Sequence, residues 1–104
     1  MLHTSGIGPV MPDGAVPESI VDQAAAVWAT LVGLLDEAEM AVSDVVSIST
    51  YVVIADDLSA DLAEVMAARD QALAGHRCAS TLIPVPRLAS PDWKLEIAIV
   101  AVAG

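Results

Sequence analysis

A glutamate set among apolar neighbours is the residue of this chain best placed to do chemistry. Glu96 stands in Lys94-Leu95-Glu96-Ile97-Ala98-Ile99-Val100-Ala101-Val102-Ala103, a run that reads as a buried strand. With a two-residue repeat it shares its side with Ala98, Val100 and Val102, while Leu95, Ile97, Ile99 and Ala101 face the other way. A lone carboxylate on an apolar face is costly unless it is hydrogen-bonded or protonated. Such a group suits proton transfer near neutral pH. The alternative is a residue at the exposed start of the strand, beside Lys94 and in contact with water.

Other residues carry weaker signals. Ser5-Gly6 could let a ligand approach the backbone, because glycine has no side chain to exclude it, although the same pair also suits a turn. His76 and Cys78 invite a metal or nucleophile reading. A zinc site needs three or four ligands, whereas His3 is the only other histidine and Cys78 the only cysteine, so no metal is expected. A Cys–His pair would also need an orienting third group. His76 and Arg77 are expected on the last carbonyls of the preceding helix or in water. Arg69, between Met66 and Leu73 on an apolar stripe, is expected to lay its stem on the core edge with its head in solvent. Catalytic triads, glycine-rich phosphate loops and basic aromatic patches are absent from the sequence, and no cofactor is expected.

The elements that must position these residues alternate. Leu2 to Val10 is β-compatible, followed by Pro and Asp-Gly turn signals from Met11 to Val16. Pro17-Glu18-Ser19 starts a helix predicted over Glu18 to Met40, with Ile20, Ala24, Val27, Leu31, Leu34 and Ala38 at helical spacing. Val45 to Ile54 is a β-branched strand, with Ser47 and Ser49 opposite Val46 and Ile48. Asp56 and Asp57 can cap a second helix from Leu58 to Ala74, which Gly75 can end. Strands near Ala79 to Val85 and Lys94 to Ala103 close the chain. The order β, α, β, α, β, β favours a two-layer α+β sandwich with both helices on one face of the sheet.

Composition sets limits on function. The 104 residues form one small domain spanning 1–104. Hydrophobic residues make up 56% and mean hydropathy is +0.66, so part of the apolar surface is expected to meet another subunit. Fourteen acidic against four basic residues give a formal charge of −10, which repels phosphate backbones, and no nucleic-acid partner is expected. Gln23 to Leu35, the longest charge-free stretch around the first helix, falls short of the roughly 18 residues of a membrane span. The start lacks the basic and apolar pattern of a secretion signal. A single cysteine fits a reducing compartment. The expected location is cytoplasmic, away from membranes.

Several segments, in order, resemble one family. His3-Thr4-Ser5-Gly6-Ile7-Gly8-Pro9-Val10, Val42-Ser43-Asp44-Val45-Val46-Ser47, Asp61-Leu62-Ala63-Glu64-Val65, the run Ala79 to Leu88 and Lys94-Leu95-Glu96-Ile97 are similar to the reactive imine/enamine deaminases, called Rid, RidA or YjgF. Each piece is common, whereas their order and spacing across nearly the whole chain are specific. The resemblance implies a chorismate-mutase-like fold with two helices on a mixed sheet. It also implies a homotrimer with a central barrel and small-molecule clefts between subunits.

In that family a cleft arginine grips the carboxylate of a 2-imino or 2-enamino acid through two parallel hydrogen bonds, and a glutamate on the last strand helps water attack the C=N carbon. Glu96 matches the glutamate. Counting back from Arg87-Leu88, the arginine position is Ser80, with Cys78 where the family has proline. Met66 stands at an asparagine position and Glu39 at the glycine that ends the first helix. The resemblance starts at the family's second strand, and no counterpart of the first strand's cleft tyrosine is expected among these residues. The expectation is therefore a divergent trimer using Glu96 as acid/base on an imine, enamine or related C–N ligand without a carboxylate, with 2-imino acid deamination not expected. Ligand contacts are expected from Ser5, Gly6, Met66, Ala79, Ser80, Thr81 and Leu82. A non-catalytic ligand-binding or scaffold trimer is the alternative. Arg77 is three residues from Ser80, about 10 Å along an extended chain and on the other face, and is not expected to replace the arginine.

Overall fold

A computed structural model describes all 104 residues. Helix α1 runs Ile20–Glu37, and the Ser19 hydroxyl accepts the Asp22 amide at 3.1 Å. That cap takes one of the free first-turn amides, so Pro17 and Glu18 lie ahead of the helix rather than inside it. The helix stops short of Met40 because Glu39 adopts φ 57°. Ile20, Ala24, Val27 and Leu31 are buried as their spacing predicts, together with Gln23, Trp28 and Leu35.

A 3₁₀ turn at Val42–Asp44 leads into strand β2, Val45–Val53. A β-bulge between Val45 and Ser47 turns Val46 out to solvent while Val45 and Ile48 both point inward. Simple alternation, which grouped Val46 with Ile48, fails there because a bulge adds a residue to one strand only. Helix α2 spans Leu58–Leu73. Of the two candidate caps, Asp57 accepts the Ala60 amide at 3.2 Å. Ala74 at φ 50° and Gly75 at φ 91° end it in the left-handed region. Strands β3, Ala79–Val85, and β4, Leu95–Ala101, follow.

The first strand, β1, is only Leu2–His3, shorter than the β-compatible stretch to Val10. Thr4 still bonds to Ile99, the chain lifts away at Ser5-Gly6, and Ile7 rejoins Ile97 as an isolated bridge.

The sheet order is β1-β4-β2-β3, with β4 antiparallel to both its neighbours and β2 parallel to β3. β1 therefore runs parallel to β2, so each helix is a crossover between parallel strands, and both helices fall on one face. This is the mixed-sheet α+β sandwich of two layers. Its core lies between the layers: Leu95, Ile97, Ile99 and Ala101 from β4 and Val45, Ile48 and Val52 from β2 meet Val27, Leu31 and Leu35 of α1 and Val65 of α2. The slab is 20 Å thick at its thinnest, and the other sheet face has no layer over it. No helix is long and apolar enough to cross a membrane.

Candidate functional site

Glu96 lies on that uncovered face. Its neighbours Leu95 and Ile97 are fully buried under the helices, whereas Glu96 is half-buried and pairs with Tyr51 of β2, which pairs in turn with Ile83 of β3. The reading of Glu96 as an exposed strand start is thereby corrected: Lys94 is exposed, and the glutamate one step inside the strand is not. A Cβ built on Gly6 would fall on the Glu96 carboxylate, so the side chain fills the space that glycine leaves where the chain lifts off β4. Ser5 and Gly6 make no backbone hydrogen bond of their own in the protomer. The chain's single ion pair, Arg69 with Asp70, does not involve Glu96. A carboxylate beside unused backbone amides, on a face open to a ligand or another copy, can accept and return a proton.

Two further contacts hold this corner. A Cβ on Gly8 would lie 2.6 Å from ring carbons of Trp93, which fixes the loop after Ile7 beneath the indole. Gln23, buried on α1, donates from Nε2 to the carbonyls of Pro17 and Asp92, each at 2.8 Å, and accepts the Lys94 amide at 2.8 Å. It thereby sets the entry to β4 two residues before Glu96. Sequence reading missed it; a lone amide on the apolar stripe of α1 was the available signal.

The second group of expected residues lies elsewhere. On β3, Ser80 pairs with the inward-facing Ile48 and Leu82 with Thr50, so both belong to the helix side, while Ala79 and Thr81 share the open face. The four are split between two faces. Met66 is exposed on α2, one turn before Arg69. Ser80 and Glu96 are separated by two strand spacings and three residues, roughly 14 Å between backbones, and face opposite ways. One small ligand cannot touch both within a protomer.

Around Ser80 the structure corrects one expectation and adds to another. Arg69 does not float in solvent: its Nε and Nη2 donate to Asp70 Oδ1 at 3.1 and 2.9 Å, and Nη1 donates to the Ser80 hydroxyl at 3.3 Å. The His76 amide donates to the Leu73 carbonyl at the end of α2 at 3.0 Å, while its ring Nε2 is 2.8 Å from the Val45 carbonyl at the bulge. Arg69, Asp70, His76, Arg77, Cys78 and Ser80 all line a cleft of about 460 Å³ at the β3 edge. Burial pushes the Cys78 thiol up from its ordinary value, and the nearby Arg69 charge partly opposes this.

A family profile described as Endoribonuclease L-PSP matches residues 1–103. The chain belongs to this family, the Rid/YjgF proteins. Solved Rid structures agree with the fold. The conserved Rid-family protein YyfB from Yersinia pestis, of unknown function, is 30% identical with a TM-score of 0.89, covering 98% of this chain and 77% of its own. The Escherichia coli YjgF gene product is 30% identical with a TM-score of 0.83, covering 96% and 78%. Escherichia coli TdcF, solved with bound serine, is 26% identical with a TM-score of 0.87, covering 98% and 80%. Comparison with curated protein sequences gives no match.

Proposed function

We propose that this Rid-family protein hydrolyses an imine, enamine or related C–N compound, with Glu96 as the acid/base. The observation that carries the reading is the Glu96 carboxylate lodged against Gly6 on the open sheet face, without an ion-pair partner in its own chain. Glu96 takes a proton from water as the oxygen bonds to the C=N carbon, then delivers it to nitrogen. Collapse of the carbinolamine gives a carbonyl product and ammonia. The second half of the site comes from another copy in a homotrimer, because Ser80 of the same protomer is too far away and faces the helices. The serine bound to TdcF supports a small-molecule site on this fold.

Ammonia release from a panel of imines tests the reading. Glu96→Gln should lower turnover at least about 100-fold, the scale of a lost general acid/base; equal rates would exclude the assignment. The replacement of the strand arginine by Ser80 favours one other reading, a ligand-binding trimer without catalysis, for which tight small-molecule binding and no turnover is the expected pattern. Ribonuclease chemistry, despite the family description, fits poorly with a charge of −10 and with His3 and His76 as the only histidines.

A further inference from the structure

We propose that the groove between helices α1 and α2 binds a small neutral molecule with a carbonyl or ether oxygen on an apolar body, its oxygen accepting from the Trp28 indole. The starting point is one polar atom. Trp28 is 4% exposed, and its Nε1 is the single buried side-chain nitrogen or oxygen of the chain without a hydrogen-bond partner. An indole N–H only donates, so no flip or tautomer relieves it, and an unpaired buried donor is a standing cost to the fold.

Trp28 belongs to the groove as well as to the core. It lines a hollow of about 340 Å³, within the roughly 300–1,000 Å³ of small-molecule pockets. The hollow exists because the helices meet there through alanines: Ala25 from α1, and Ala67, Ala68 and Ala72 from α2. Ala68 and Ala72 follow Glu64 at four-residue spacing, so α2 turns one shallow stripe toward α1. A longer side chain from either helix would close the space.

The remaining lining residues set the ligand's class. Glu64 and Gln71 are exposed at the rim, and neither bonds to the indole. No Lys, Arg or His lines the groove, and the chain carries −10, so an anion is repelled. An ammonium group has no acceptor to offer Trp28. A buried water makes about three hydrogen bonds, whereas six of the eight lining residues are apolar. A neutral molecule fits both demands: one oxygen takes the N–H, and the apolar part covers the alanines. Because Nε1 is closed to solvent in the free protein, the indole or the Gln71 side chain turns as that oxygen enters. The helices cover the sheet face opposite Glu96, so this site is independent of the C–N hydrolysis reading.

The test uses cyclohexanone and methylenecyclohexane, alike in shape and different in the oxygen, titrated into the whole protein. NMR follows the indole N–H signals of Trp28 and Trp93, the only two tryptophans. Cyclohexanone should move the Trp28 signal downfield and bind at least about fivefold more tightly than the hydrocarbon, the scale of one hydrogen bond. Trp28→Phe identifies the signal and should remove the preference. Ala67→Leu, at an exposed position of α2, should fill the groove and abolish binding of both probes with the urea midpoint unchanged, which keeps the test decisive if Trp28→Phe does not fold. Glu96→Gln should leave both affinities as they are. A Trp28 signal that stays in place up to the solubility limit of the ketone overturns the proposal, as does equal binding of the two probes or a preference that survives either groove variant.

Discussion

At Gly6 a single methyl group is enough to move the Glu96 carboxylate, because the added carbon would occupy the space that the carboxyl atoms fill. The atoms displaced are the far end of a flexible side chain, and Gly6 is not among the glycines with positive φ, so the backbone accepts alanine. Gly6→Ala should therefore change stability by less than about 1 kcal/mol and yet lower turnover toward that of Glu96→Gln. Denaturant unfolding and ammonia release, measured on the same preparation, separate the two effects. A large stability loss would mean that Gly6 serves the fold and not the carboxylate. At the same scale, Arg69 shows why a helical stripe can mislead: period places it on the core edge, whereas its partner Asp70 is the next residue and Ser80 belongs to a strand eleven positions on.

Among the elements, the long periodic ones were legible. The apolar spacing from Ile20 to Leu31 and the alternation Leu95 to Ala101 predict a face each, and the burial follows them. What escaped was set by contacts distant in sequence or by local geometry with no compositional mark. The break in β1 after His3 depends on how Thr4 and Ile7 bond to β4, and the bulge at Val45 on its register with Ala101. Of the site, Glu96 with Ser5 and Gly6 was legible because glycine and a misplaced charge are conspicuous. The Gln23 clamp, reaching 69 and 71 positions ahead, was not. Gln23→Leu leaves the buried partners of that amide unpaired and should destabilise by about 2–3 kcal/mol. Glu39 at φ 57° holds a backbone shape that glycine adopts without strain, so Glu39→Gly should stabilise by roughly 0.5–1 kcal/mol. Urea midpoints at one fixed protein concentration check both, since association contributes to apparent stability.

For the whole molecule, the decisive feature is a sheet covered on one side. Ile83 and Val46, 41% and 46% exposed, stand on a surface with Ala79 and Thr81 that a second layer would bury. If three copies close these faces together, the subunit of 10.7 kDa should sediment at three times that mass. Association then works against the charge, because each copy carries −10. Salt shortens the reach of that repulsion, to about 10 Å at 0.1 M, while leaving apolar contacts intact. Raising salt from low to physiological strength should tighten the trimer, whereas an assembly held by ion pairs would loosen. Ile83→Asp places a charge into the closing surface beside Tyr51, in the same cross-strand row as Glu96. It should shift the protein to monomer at micromolar concentration without unfolding the two-layer core, which Ile83 does not join. Turnover should fall with the trimer fraction if, as proposed, the site is completed by a second copy. A monomeric Ile83→Asp variant with full turnover would place the whole site inside one protomer and refute the shared-cleft arrangement.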